Sequence, residues 1–119
     1  MPIQTVENPA DLSAFSDVGA DFVIFYSSRD DQGRMWCPDC RDVEEQVKNT
    51  FGGADAPSAS IIYVGSKAEW KRPAENKFRE DPWKVEGVPT ILRLKDGRET
   101  GRINETGIPT SLKEFIKGQ

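Results

Sequence analysis

The chain contains no histidine. That absence excludes Ser-His triads, Cys-His nucleophile pairs and histidine-based zinc sites. Cysteine is nearly absent too. With two cysteines in all, a four-ligand zinc site lacks its second half and no disulfide framework can be drawn. The longest apolar run, Phe22 to Tyr26, is far too short to cross a bilayer. The opening residues Met1-Pro2-Ile3-Gln4-Thr5 carry neither a basic flank nor an apolar stretch, so no secretory signal is read and the cytosol is the expected compartment. Thiols are kept reduced there, which favours a catalytic over a structural cysteine pair. Positive charge is in deficit, 16 Lys and Arg against 20 Asp and Glu, and the net charge of −4 weighs against nucleic acid as a partner. At 119 residues, 36% hydrophobic and 30% charged, the chain is expected to form one domain over 1–119 with a real core. With no apolar surface stripe left over, a monomer is expected.

The two cysteines stand together in Trp36-Cys37-Pro38-Asp39-Cys40. Three residues is the separation at which a second thiol can resolve a mixed disulfide formed by the first. From Pro38 onward, Cys40, Val43, Val47 and Phe51 recur on one helical face, with Gly52-Gly53 as a stop. Asp39, Asp42, Glu44 and Glu45 crowd the first half and Lys48 follows, which suits the macrodipole and also describes an ordinary solvated face. Cys37 therefore stands exposed at the helix start, where free N–H groups and the positive dipole end favour a thiolate, while Cys40 belongs to the buried stripe. This inequality assigns Cys37 as the attacking nucleophile and Cys40 as the resolving thiol. The charge of Asp39 works against a thiolate but is screened if it points to solvent. A structural disulfide across so short a loop would constrain the unfolded chain little.

The rest of the chain reads as a frame for this motif. Ile3 to Val6 alternates like an edge strand. Asn8-Pro9 opens a helix carrying Leu12, Phe15 and Val18 and stopping at Gly19. Phe22 to Tyr26 lacks alternation and reads as a fully buried central strand, which requires cover on both faces and places the chain in the α/β class. Ser27 to Met35 is a polar loop. Ser60 to Val64 is a second buried strand, and Ser66-Lys67-Ala68-Glu69 is a capping box opening a helix that Pro73 interrupts. Phe78 is the expected core contact of the next segment, which Asp81-Pro82 ends. Asp96-Gly97 between Thr90–Lys95 and Arg98–Ile103 is a hairpin signal. A second capping box, Ser111 to Glu114, opens a closing helix with Leu112, Phe115 and Ile116 on its buried stripe. The order is β-α-β-α-β-α-β-β-α, a mixed sheet of about five strands flanked by helices. Val88-Pro89-Thr90 precedes the hairpin. A proline at a strand entrance is unremarkable alone. Beside a CxxC motif, the sharper reading is a cis-proline facing the thiols, with the Val88 backbone exposed to pair with an extended substrate.

The element order, Trp36-Cys37-Pro38-Asp39-Cys40, the long preceding loop and Val88-Pro89-Thr90 resemble the thioredoxin superfamily over nearly the whole chain. Ser28-Arg29-Asp30, Gly33-Arg34, Tyr63-Val64-Gly65, Trp70-Lys71, Pro73 and Phe78-Arg79 narrow the resemblance to the thioredoxin domain-containing protein 17 family. The resemblance implies a thioredoxin fold and a reductase of protein disulfides and cystine. It also implies that no cofactor is bound and that electrons come from NADPH through thioredoxin reductase, with Cys37 attacking and Cys40 resolving. Trp36, Pro38 and Asp39 then belong to the tuning motif, and Val88, Pro89 and Thr90 to the substrate-binding strip. One departure stands out: thioredoxin's buried aspartate has no counterpart in Phe22 to Tyr26. The proton acceptor for Cys40 is therefore open, with Asp39 or water as candidates. Arg29 and Arg34 in the longer loop either steer acidic clients or are simply solvated. Two other functions stay in view. A glutaredoxin also carries CPxC, but the region after Pro89 lacks the Gly-Gly-Asp pattern that binds glutathione. A redox-gated binding protein would show no turnover.

Overall fold

The computed structural model describes residues 3–117. The sheet is built on the strand Phe22–Tyr26 (β2), whose five apolar residues are all buried. On one side it pairs in parallel with Ala59–Tyr63 (β3), in register from Phe22↔Ala59 to Tyr26↔Tyr63. On the other it pairs antiparallel with Thr90–Lys95 (β4). Ile3–Thr5 (β1) adds a parallel edge to β3, and Arg98–Asn104 (β5) an antiparallel edge to β4, giving the order β1-β3-β2-β4-β5. This mixed sheet is the α/β thioredoxin fold expected from the element order.

The two faces of β2 are covered differently, as strand alternation requires. Phe22, Ile24 and Tyr26 look toward the helix Pro38–Phe51 (α1), where Phe22 packs 5.3 Å from Phe51, centroid to centroid. Phe22 also meets Phe115 of the closing helix Ile108–Lys117 (α3) at 6.0 Å. The opposite face carries an aromatic cluster. Trp83, 1% exposed, sits edge-on to Phe15 at 5.2 Å, Phe78 at 5.5 Å and Phe25 at 6.0 Å. Phe78, the core contact expected from the sequence, is 4% exposed.

Three local expectations are corrected. The segment from Asn8 to Gly19 is not one helix but two 3-10 turns, Pro9–Asp11 and Phe15–Asp17, with Leu12 and Ala14 extended between them. Long-range chemistry makes this break favourable. The Lys77 ammonium donates to the carbonyls of Pro9 (3.3 Å), Ala10 (2.9 Å) and Leu12, which an α-helix would have used internally. The Asp17 carboxylate takes the N–H groups of Ser13 and Ala14 at 2.8 and 3.1 Å. Those two bonds hold the Asp17 carboxyl below its ordinary value. Second, α3 begins at Ile108, and Ser111 lies inside its first turn with its N–H on the Gly107 carbonyl at 2.8 Å. Pro109, with φ already suited to a helix, and the fully buried Ile108 start the helix ahead of the Ser111–Glu114 box. Third, β3 runs one residue earlier than the expected Ser60 to Val64.

The remaining local signals form as read. Ser66 caps the short helix Lys67–Trp70 (α2), accepting from the Glu69 N–H at 3.2 Å while the Glu69 carboxylate accepts from the Ser66 N–H at 2.7 Å. Pro73 opens a separate 3-10 turn, Pro73–Glu75. Asp96 (φ 54°) and Gly97 (φ 75°) make the two-residue turn between β4 and β5, both in the left-handed region that this hairpin requires. No helix among the described residues is long and apolar enough to cross a membrane.

Candidate active site

Cys37 is the N-cap of α1, with extended backbone (φ −89°, ψ 119°), and exposed Pro38 occupies the first helical turn. Proline suits that position because its missing N–H would have had no intrahelical partner. Cys40 lies one turn further in, on the stripe with Val43, Val47 and Phe51 that anchors α1 to the sheet. Burying each such valine or phenylalanine is worth about 1.5–3 kcal/mol, so the register of this helix, and hence the position of Cys40, is strongly fixed. Both cysteines are free thiols.

Sequence reasoning placed Cys37 in the open; the structure corrects this. Cys37 is 9% exposed and Cys40 fully buried. The N-cap points its side chain not at solvent but at the loop before β4, where the Cys37 thiol donates to the Val88 carbonyl at 3.5 Å. The Val88–Pro89 peptide bond is cis, as read from the sequence. Thr90, buried at the start of β4, ties this loop back through its hydroxyl to the Gly87 carbonyl at 2.5 Å. Trp36, half-buried, donates its indole N–H to the Gly65 carbonyl at 2.9 Å. Asp39 is exposed, so its charge is screened by water. The structure thus brings Cys37, Cys40, Val88, Pro89 and Thr90 together beside Trp36, while Pro38 and Asp39 face outward on the first turn.

Ser27, which sequence reasoning left in the loop, joins both thiols. It is fully buried directly after β2. Its hydroxyl accepts the Cys37 N–H at 3.1 Å, and its own N–H donates to Cys40 Sγ at 3.4 Å. The available signal was a small polar residue closing an otherwise apolar strand. Burial pushes the Cys40 thiol up to about 12; the Ser27 N–H opposes the shift and nearby Cys37 adds to it. One consequence is a pH dependence of stability. The folded chain keeps the Cys40 proton to a higher pH than the unfolded chain, so the contribution is complete below the unfolded value near 9 and is lost as pH rises from there toward 12. Urea unfolding of the reduced protein is expected to show falling stability over that window, and Cys40→Ser to show a shallower fall.

The loop 27–35 is folded rather than merely solvated. An isolated bridge pairs Arg29 with Met35, and the Asp30 carboxylate accepts the N–H groups of Gln32 and Arg34 at 2.9 and 3.1 Å. Arg29 is held by Glu44 and by the Gly33 carbonyl at 3.0 Å, and its guanidinium lies 5.6 Å from the Tyr63 ring centre. Arg29 is therefore held within the folded loop, while Arg34 is exposed.

With this geometry in place, the family model described as "Thioredoxin domain-containing protein 17-like, thioredoxin domain" matches residues 8–115. The chain belongs to this family. The mouse thioredoxin domain-containing protein 17 is 36% identical over 96 residues, covering 80% of this chain and 75% of that protein. The human protein of the same name is 39% identical over 74 residues, covering 60% and 58%. The thioredoxin-like protein Clot of rice is 30% identical over 90 residues, covering 70% and 64%. The chain thus spans less than two thirds of the rice and human relatives. Among solved structures, a mutant thioredoxin from Halobacterium salinarum superposes with a TM-score of 0.57 at 23% identity, covering 97% of this chain and 88% of that one. The poplar thioredoxin h, PtTrxh4, gives 0.56 at 13%, with both chains fully covered. Membership of the thioredoxin domain-containing protein 17-like family, with two cysteines a helical turn apart, makes this a thioredoxin-like redox domain.

Proposed function

We propose that this thioredoxin domain-containing protein 17-like chain reduces disulfides by dithiol–disulfide exchange, with Cys37 attacking and Cys40 resolving. The carrying observation is the pairing of an N-cap thiol against the Val88 carbonyl at 3.5 Å with a second thiol fully buried one turn behind it. A client disulfide approaching Cys37 meets the cis Val88–Pro89 backbone, whose extended run can pair with the client's own chain. Cys37 Sγ attacks one client sulfur; that S–S bond breaks, the electron pair leaves on the other client sulfur, and a Cys37–client mixed disulfide remains. Cys40 then attacks Cys37 Sγ, forms the Cys37–Cys40 disulfide and releases the reduced client.

The clients in this reading are protein disulfides and cystine. The protein works in the cytosol, as a single domain and a monomer, and NADPH-dependent thioredoxin reductase restores the dithiol. The resemblance of the motif and family membership support this electron source. The test is a coupled assay in which purified protein, thioredoxin reductase and NADPH are given cystine or insulin. NADPH consumption that depends on this protein is the expected result. Turnover with glutathione alone, and none with thioredoxin reductase, would overturn the assignment of the reductant. Stoichiometric oxidation without cycling under either reductant would overturn the catalytic reading.

A further inference from the structure

Resolution sets one buried sulfur against another, so whatever fixes their spacing governs its rate. Ser27 hydrogen-bonds to both cysteines. It is fully buried directly after β2. Its N–H points at Cys40 Sγ, 3.4 Å away, and its hydroxyl oxygen accepts the Cys37 N–H at 3.1 Å. The peptide unit that carries this N–H is held from behind, because its carbonyl, that of Tyr26, accepts the Val64 N–H at 2.9 Å. On the far side of Ser27, the Ser28 N–H donates to the Gly65 carbonyl at 3.2 Å, and the Ser28 hydroxyl accepts the Gly65 N–H at 2.8 Å. Ser27 is thus fastened on both flanks to the residues that follow β3. It is a fixed point, not one that follows a moving cysteine. Its N–H also suits the chemistry. A hydrogen bond to an ionised acceptor is shorter and roughly twice as strong as one to a neutral acceptor. The donor aimed at Cys40 therefore favours the thiolate that must form, against the burial that disfavours it.

We propose that Ser27 is a positioning residue for resolution: its hydroxyl holds the Cys37 backbone and its N–H the Cys40 sulfur, which keeps the two sulfurs in attacking register while a client occupies Cys37. The proposal rests on the dithiol–disulfide reading above. In that step Cys40 Sγ attacks Cys37 Sγ and the Cys37–Cys40 bond forms. The Cys37–client S–S bond breaks with its electron pair on the client sulfur, and the proton that Cys40 gives up is balanced by the one the released client thiol takes up. The hold matters most in the mixed disulfide. In the free dithiol, Cys37 is also fixed by its S–H on the Val88 carbonyl. Once the sulfur carries a client that hydrogen is gone, and the Ser27 hydroxyl still grips the N–H. Cys37 is the N-cap, a flanking residue whose N–H has no partner inside the helix, so this is where a client would pull the motif out of place.

The test uses dithiobis(nitrobenzoate) with the reduced full chain. Attack by Cys37 releases one coloured nitrothiobenzoate at a rate proportional to reagent. Resolution by Cys40 releases the second at a rate independent of reagent. Ser27→Ala keeps the N–H and removes the hydroxyl. It is expected to leave the first phase near the parent's and to slow the second by about 10-fold, within the loss that a misplacement of about 1 Å can cause. Ser27→Thr, whose hydroxyl can accept the same N–H, should keep most of the second-phase rate. An unchanged second phase in Ser27→Ala overturns the proposal. So does an equal slowing of both phases, the mark of a packing defect, or a Ser27→Thr rate no better than that of Ser27→Ala. A second measurement leaves Ser27 in place. Cys40→Ser carrying nitrothiobenzoate on Cys37 arrests the mixed disulfide, and amide hydrogen exchange read by NMR should find the Cys37 N–H protected there. Exchange at the rate of an open amide overturns the proposal. A parent protein with no second phase overturns the exchange reading itself, so the two failures are told apart.

Discussion

Cys37→Ser is expected to reduce no disulfide above background, and Cys40→Ser to complete one attack and stop. The two outcomes follow from the unequal positions of the thiols. A serine at Cys37 keeps the helix N-cap and the approach past Val88, so clients still bind, but its hydroxyl is not ionised near neutral pH and forms no stable bond to sulfur. A serine at Cys40 leaves the first step intact, because Cys37 keeps its N–H bond to Ser27 and its contact with Val88. The mixed disulfide then persists, since nothing else beside Cys37 can displace the client. Affinity capture from a cell extract followed by mass spectrometry of the reducible adducts reads this directly. Adducts on Cys40→Ser and none on Cys37→Ser are expected. Measurable turnover by Cys37→Ser, or adducts formed through Cys40, would remove Cys37 as nucleophile.

Trp83→Ala is expected to destabilise the protein by about 3–5 kcal/mol, the range for deleting a large buried aromatic. Domains of this kind have about 5–15 kcal/mol in total, so this one change takes a large share. Trp83 is among the largest fully buried side chains and touches three rings, Phe15, Phe25 and Phe78. Its backbone carbonyl also accepts the Arg102 guanidinium at 2.9 Å, which pins the segment before the cis-proline loop to β5. The cavity cannot close by collapse, because Phe25 is fixed in the central strand and Phe15 sits in a turn closed by the Asp17 carboxylate on the Ser13 and Ala14 N–H groups. Urea denaturation should show a much lower midpoint with an unchanged slope, and Trp83→Phe should lose less. A loss below about 1 kcal/mol would show that the cluster repacks.

What could be read from the sequence was local chemistry acting over a few residues. The apolar stripe Cys40, Val43, Val47 and Phe51 needs only helical geometry to be recognised, and it forms. Asp96-Gly97 and Ser66 to Glu69 carry their structure in their own side chains and backbones. The candidate site was legible in the same way, down to the cis bond at Pro89. What escaped was decided at a distance. Lys77 takes carbonyls more than sixty residues upstream and turns an apparent helix into two 3-10 turns. The burial of Cys37 depends on the Val88 carbonyl fifty-one residues downstream. Ser27 gains meaning only once β2 and α1 are packed, because it has no sequence neighbour that advertises its partners.

The loop before the motif has a closed base. Arg29 bridges Met35, and the Gly65 carbonyl receives both the Ser28 N–H at 3.2 Å and the Trp36 indole at 2.9 Å. Everything between is a tip whose length does not set the position of Cys37. Doubling such a segment costs only about 0.6 kcal/mol in closure entropy. In the exchange reading proposed above, this keeps the loop tip that would meet clients apart from the thiols that would break their bonds. Tips of other lengths, or a spliced recognition peptide, can be carried on residues 31–33 with the thiol machinery left as it stands, which makes this redox centre modular.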